Sequence, residues 1–165
     1  MILPELSNVL AEQLGKLLVA TDWTMTCAES CTGGGVGYAI TSIAGSSQWF
    51  QRGFLTYSNQ AKIDLLNVKA KTLDKYGAVS HQVAEQMAKG AKISANADLA
   101  IAITGIAGPD GGSDEKPVGT VWFGLSIQAK TMSDVQYFQG NRHYVREQAI
   151  NHALNYCIKM LHSIR

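Results

Sequence analysis

Residues 97–105 read ADLAIAITG, an unbroken apolar run with the length of one β-strand. A strand that is apolar on both sides suits a sheet that is buried on both faces. Such a sheet needs helices above and below it, because both of its apolar faces must be kept from water. The run therefore predicts an α/β fold.

The segments before this run alternate between strand and helix patterns. Leucines at helical spacing mark a helix over residues 4–19. Short strands are expected over 24–28 and 50–57, and helices over 32–42, 59–66, 69–76 and 81–94. Ser80 is a favourable N-cap for the last of these helices, and Gly77 is a favourable end for the helix before it.

The segments after the run change pattern. Residues 118–127 and 132–138 read as two strands joined by a short turn, which favours an antiparallel pair. Apolar residues then recur every four positions along a long closing helix; they are Val145, Ala149, Ala153, Cys157 and Leu161. This order predicts a three-layer α/β/α sandwich with a mixed, mostly parallel central sheet, in one domain over residues 1–165.

The composition excludes several classes of protein. The chain has 165 residues, of which 46% are hydrophobic and 16% are charged, as in a globular protein. A net charge of +1 gives no broad attraction to nucleic acid or to a membrane. No apolar run reaches the ~20 residues that span a bilayer. The three cysteines show no paired spacing, which predicts a cytoplasmic location and no metal site.

In open α/β sheets, ligands bind beyond the carboxyl ends of the strands, so the residues after each strand are candidates for a site. Ser30 follows the strand at 24–28 and precedes three glycines at 33–35. It has two interpretations: a helix cap, or a nucleophile beside backbone N–H groups that a substrate can approach closely. Cys31 is a rival nucleophile, although no histidine lies near it in the sequence.

The second strand end carries Tyr57 and Lys62. With Asn59 as the helix cap, Lys62 lies in the first turn, where the helix dipole and burial lower the pKa of an amine. A neutral amine there can accept a proton from a serine, and Tyr57 can share a hydrogen bond with Ser30 or Lys62. The alternative interpretation is a solvated lysine and a core tyrosine.

Two further segments suit an anion. The loop at 105–117 is rich in glycine, and it is either a nest of N–H groups or a plain turn around Asp110. Arg142 and Arg146 lie one turn apart at the start of the closing helix, where a phosphate would fit. Arg146 paired with a carboxylate is the alternative.

Five stretches together resemble the C-terminal domain family of the competence- and damage-inducible protein CinA; they are AESCTGG, GSSQWFQRGFLTYSNQAK, GAVS, TGIAGPDGGSDEKPVGTVWF and GNRHYVREQA. The resemblance runs from about residue 5 to residue 160. It is strongest to stand-alone members that deamidate nicotinamide mononucleotide to nicotinate mononucleotide and ammonia in pyridine nucleotide recycling.

The resemblance implies roles for individual residues. Ser30 corresponds to the catalytic serine, Lys62 to the lysine that acts as its base, and Tyr57 to a catalytic tyrosine. The implied substrate-binding residues are Thr32, Gly33, Gly34, Thr104, Gly105, Gly108, Arg142 and Arg146. The family's arginine maps to either Arg142 or Arg146.

The resemblance also implies no cofactor and no metal, a small mononucleotide as substrate, and self-association as a homodimer. The alternative is a non-catalytic module that binds a nucleotide or a phosphate in a competence or DNA-damage response. In that module Ser30 would only cap a helix.

Overall fold

The structure, a computed structural model, describes residues 3–164. Its helices are α1 (Leu3–Thr21), α2 (Gly35–Thr41), α3 (Asn59–Leu66), α4 (Ala70–Tyr76), α5 (His81–Ala95) and α6 (Arg142–Ser163). Its strands are β1 (Met25–Glu29), β2 (Phe54–Leu55), β3 (Leu99–Gly105), β4 (Thr120–Ile127) and β5 (Lys130–Tyr137). None of the helices in this range has both the length and the apolar character that crossing a membrane requires.

The strands form one sheet in the order β2-β1-β3-β4-β5. β1 pairs with β2 and β3 in parallel, whereas β4 pairs with β3 and β5 in antiparallel. Because β4 alone is reversed, β5 runs in the same direction as β1, β2 and β3. The segments that follow these four strands therefore meet at one edge of the sheet.

Helices cover both faces of the sheet, so the three-layer α/β/α architecture with a mixed sheet is confirmed. On β3, Leu99, Ile101 and Ile103 pack with α1, α2 and α6, and the alanines between them pack towards α5. This split follows from the alternation of side chains along a strand. Small side chains on the second face let α5 lie close to the sheet.

The strand expected over 50–57 is much shorter in the structure, which is a correction. Only Phe54 and Leu55 pair with β1, apart from a single bridge between Phe50 and Met25. Between these points the Thr26 hydroxyl donates to the Arg52 carbonyl at 2.6 Å. A side chain therefore replaces the backbone ladder and interrupts the strand.

The helix expected over 32–42 begins only at Gly35, because two glycines form a turn before it. Gly33 and Gly34 have φ angles of +62° and +96°, which residues with a side chain rarely adopt. Gly34 is the N-cap of α2, so Ser30 does not cap this helix. The interpretation of Ser30 as a cap is therefore wrong.

Candidate active site

A cavity of about 230 Å³ lies at the edge where the parallel strands end. Its lining includes Ser30 and Cys31 after β1, Tyr57 and Lys62 after β2, Thr104 at the end of β3, and Arg142 at the start of α6. Gly105 at the end of β3 lines the cavity as well. Six of the residues singled out from the sequence at strand ends therefore share one site with an arginine from the closing helix.

Ser30 and Lys62 are in direct contact across this cavity. The distance between Lys62 Nζ and Ser30 Oγ is 3.1 Å, and the same amine donates to the Thr56 carbonyl at 2.9 Å. Lys62 lies on the buried face of α3, one turn before Leu66. The helix cap is Ser58 rather than the expected Asn59, since the Ser58 side chain accepts from the Ala61 N–H at 3.0 Å.

The surroundings of Lys62 favour an uncharged amine. Its side chain is buried, with 1% of the residue exposed, and among residues 3–164 no carboxylate forms an ion pair with it. Burial lowers the pKa of Lys62, and the neighbouring Cys31 opposes this effect. A neutral amine has two N–H groups and one lone pair, so it can donate to Thr56 and accept from the Ser30 hydroxyl.

Cys31 is a poor nucleophile in this setting. Burial raises the pKa of its thiol to about 12, although Arg146 and Lys62 act in the opposite direction. A thiol attacks as its thiolate, which is scarce at neutral pH when the pKa is this high. None of the histidines in the described part of the chain lines the cavity.

Tyr57 and Arg142 form the mouth of the cavity. The Tyr57 hydroxyl accepts from Arg142 Nη2 at 3.1 Å, and Arg142 Nη1 donates to the Gly108 carbonyl at 2.8 Å. The expected hydrogen bond from Tyr57 to Ser30 or Lys62 is absent from the described contacts, because the ring points outwards and is 61% exposed. Arg142 has no carboxylate partner within residues 3–164.

Arg146 lies behind the serine turn rather than at the mouth. Its Nε donates to the Cys31 carbonyl at 3.0 Å, and its Nη2 lies 3.4 Å from the Thr32 carbonyl. Together with Thr32, Gly33 and Gly34 it lines a second cavity of about 640 Å³, which does not include Ser30. The larger cavity is therefore lined by four residues, Arg146 among them, that were expected to contact substrate beside Ser30.

The third strand end contributes Thr104 and Gly105. Thr104 is buried, lines the cavity, and donates its hydroxyl to the Ala78 carbonyl at 2.9 Å. Gly105 packs against β4, since a Cβ at this position would lie 2.8 Å from the Thr120 carbonyl oxygen. The loop residues 109–118 enclose a separate hollow, so Gly108 reaches the site only through its carbonyl bond to Arg142.

Among the contributors to the site that were not anticipated in these roles are Thr56 and Asn59. The Thr56 carbonyl holds the amine of Lys62, and Asn59 lines the cavity from the first turn of α3. A backbone carbonyl leaves no signal in a sequence. Asn59 did carry a signal, but it was interpreted as the helix cap.

Comparisons with known proteins agree with this arrangement. The model of the CinA C-terminal domain matches residues 7–161. A protein named nicotinamide-nucleotide amidohydrolase PncC from Enterobacter agglomerans is 56% identical over 85% of this chain and 86% of its own length. The protein of the same name from Escherichia coli K12 is 53% identical over 88% of both chains.

Solved structures show the same fold. The crystal structure of competence damage-inducible protein A from Klebsiella pneumoniae superimposes with a TM-score of 0.93 and 35% identity, over 96% of this chain and 99% of the other. The match of the domain model covers nearly the whole chain, and the relatives exceed half identity over most of their length. The chain therefore belongs to the CinA C-terminal domain family.

Proposed function

We propose that this protein hydrolyses the carboxamide of nicotinamide mononucleotide, with Ser30 as the nucleophile and Lys62 as the general base. The observation that carries the proposal is the 3.1 Å contact between Lys62 Nζ and Ser30 Oγ, made by a buried amine with a lowered pKa. The names of the relatives from Enterobacter agglomerans and Escherichia coli support the choice of substrate.

The first half of the reaction forms an ester and releases ammonia. Lys62 takes the proton from the Ser30 hydroxyl while Oγ attacks the carboxamide carbon, which places a negative charge on the carboxamide oxygen. Lys62 then gives this proton to the amide nitrogen as the C–N bond breaks. The products of this step are ammonia and a nicotinoyl ester on Ser30.

The second half regenerates the enzyme. A water molecule attacks the ester while Lys62 takes one of its protons, and Lys62 returns this proton to Ser30 Oγ as the ester bond breaks. The sum is one amide and one water converted to one carboxylic acid and ammonia. No other reactant is needed, because both protons come from the serine and the water.

The oxyanion needs hydrogen-bond donors close to Ser30. The Gly33 N–H is already used, since it donates to the Ser30 carbonyl at 3.0 Å. The N–H groups of Cys31 and Thr32 donate to no backbone carbonyl within residues 3–164. We therefore assign these two groups to the oxyanion, in preference to the Gly33 N–H.

Arg142 is the arginine best placed for the phosphate of the substrate. The cavity of about 230 Å³ is smaller than a usual ligand pocket of ~300–1,000 Å³, so it accommodates the pyridine ring and leaves the phosphate at the mouth. Arg142 lies there without an acidic partner in the described chain. The guanidinium of Arg146 instead binds backbone carbonyls behind the turn.

Ammonia release tests the proposal. Purified protein is assayed with nicotinamide, its riboside, its mononucleotide and the dinucleotide, and Ser30→Ala is compared with Ser47→Ala, which changes an exposed serine away from the cavity. We expect release from the mononucleotide that Ser30→Ala lowers by at least ~10³-fold. Mass spectrometry of quenched wild-type protein should show the nicotinoyl nucleotide ester on Ser30.

Two results would contradict this scheme. Wild-type turnover by Ser30→Ala would remove the serine from the mechanism. Binding of the mononucleotide without ammonia release from any of the four compounds would favour the non-catalytic binding module.

Three expectations from the sequence accompany this proposal. We propose a cytoplasmic location, since the cysteines at 27, 31 and 157 are free and buried. We also propose a homodimer that binds no nucleic acid. Light scattering and a DNA mobility assay on the purified protein test the last two.

A further inference from the structure

Glu29 is a buried acidic residue immediately before Ser30. Side chains alternate along β1, so Met25, Cys27 and Glu29 point towards α2 and α6, whereas Ala28 points towards α5. Ser30 follows Glu29 and turns to the side on which Lys62 lies. The side chains of Glu29 and Ser30 therefore lie on opposite faces of the sheet.

The Glu29 carboxyl group is fully occupied by neutral donors. One oxygen accepts from the Thr32 hydroxyl at 2.7 Å and from the Val36 N–H at 2.8 Å. The other accepts from the Gly37 N–H at 3.0 Å and, more weakly, from the Cys27 thiol at 3.7 Å. Glu29 is 2% exposed, and within residues 3–164 no cation pairs with it. A carboxyl group is costly to bury, and these hydrogen bonds offset that cost.

These bonds join the end of β1 to the start of α2 across the serine turn, which spans residues 30–34. The turn carries its own bond from the Gly33 N–H to the Ser30 carbonyl at 3.0 Å. Arg146, on α6, also holds the turn by donating to the Cys31 carbonyl at 3.0 Å. Glu29 is thus the link that ties the turn to both neighbouring elements.

We infer that Glu29 is a positioning residue: its carboxyl group holds the serine turn so that the Ser30 hydroxyl stays on Lys62 and the Cys31 and Thr32 N–H groups face the substrate. This inference rests on the proposed Ser30–Lys62 chemistry. A displacement of about 1 Å at a reacting group can lower a rate by about 10²-fold, so a remote bond of this kind controls turnover.

Glu29→Gln tests the inference with little change of shape. The amide offers one oxygen and one NH₂ group where two oxygens now accept three N–H and O–H donors and one thiol, so at least one donor then faces another donor. We expect kcat to fall by about 10–100-fold while KM changes by less than about threefold. Labelling of Ser30 by a fluorophosphonate probe should slow by a similar factor.

A stability control separates positioning from folding. Leu161→Ala shortens a buried side chain near the far end of α6, well away from the turn, and should lower stability without lowering kcat. If Glu29→Gln keeps wild-type kcat and labelling, the inference is wrong. It is also wrong if Glu29→Gln loses activity only to the extent that Leu161→Ala does at equal stability.

A second variant covers the case in which Glu29→Gln does not fold. Thr32→Val keeps the side-chain shape and removes the hydroxyl donor to Glu29. A lower kcat at unchanged KM supports the inference, and wild-type kcat overturns it. Failure of the proposed function is recognised separately, because Ser30→Ala would then remain active and the probe would not label Ser30.

Discussion

Lys62→Met is the substitution that tests the chemistry of the site most directly. Methionine has a similar length and fits the buried face of α3, but it can neither accept nor donate the proton that the proposed mechanism exchanges with Ser30. General bases contribute about 10²–10⁴-fold to a rate, or about 3–5 kcal/mol in the barrier. We therefore expect kcat/KM to fall by at least about 10²-fold.

The same substitution has a predicted effect on stability. Burial lowers the pKa of Lys62 in the folded protein below the ordinary 10.5. Below the folded pKa both states are protonated, so the cost of burying the charge is present in full. Between the two pKa values only the unfolded chain holds the proton, so stability rises with pH, and above 10.5 the cost is gone.

The dependence of stability on pH is limited in size because only one proton, that of Lys62, is involved. Stability of the wild type relative to Lys62→Met should increase with pH by up to about 1.4 kcal/mol per pH unit inside this window. Urea unfolding followed by tryptophan fluorescence, from neutral pH to the ordinary pKa of lysine, measures the difference. Groups that titrate equally in both proteins cancel from it.

The control is Lys89→Met, which removes an exposed lysine from α5. We expect this variant to keep wild-type turnover, and its free energy of unfolding should depend on pH in the same way as that of the wild type. If the free energy of unfolding of Lys62→Met also follows that of the wild type over the whole pH range, Lys62 is not desolvated and the argument for a neutral base fails. Turnover at the wild-type level in Lys62→Met would refute its role as a base.

Three other perturbations have expected outcomes. Arg142→Ala should raise KM for the mononucleotide by about 10–100-fold, because a charge-assisted hydrogen bond to the phosphate is lost. KM for the riboside, which has no phosphate, should change much less, and steady-state ammonia assays compare the two substrates. Cys31→Ala should lower kcat far less than Ser30→Ala, because the pKa of the thiol is raised to about 12. Gly124→Ala should destabilise the fold by about 1–3 kcal/mol in urea unfolding, since its Cβ would lie 2.0 Å from the Ala84 carbonyl oxygen.

Local patterns were sufficient for much of the fold. The apolar run became β3, the helix at 59–66 has the expected ends, and the Ser80 side chain caps α5 by accepting from the Val83 N–H. Each of these depends on residues close in the chain. The strand at 50–57 was overestimated because its interruption depends on Thr26, a residue that lies far away in the sequence.

The site was predictable only as far as strand ends determine it. Ser30 and Lys62 meet because both follow parallel strands that are neighbours in the sheet. The choice between Arg142 and Arg146 was not accessible from spacing. Both lie on the same side of α6, and only the packed helix shows that one faces the cavity mouth and the other the back of the turn.

The sheet also explains how a buried acid and a buried base coexist at one serine. Glu29 and Lys62 both approach the turn, and an ion pair between them would raise the pKa of the lysine and remove its capacity to accept a proton. The alternation of side chains sends Glu29 to the face covered by α2, while Lys62 approaches from α3 on the other face. Neutral donors satisfy the carboxyl group, and a carbonyl and a hydroxyl satisfy the amine. The two faces of the sheet thus keep Glu29 and Lys62 apart, and this separation leaves the amine without a carboxylate partner, as the proposed mechanism requires.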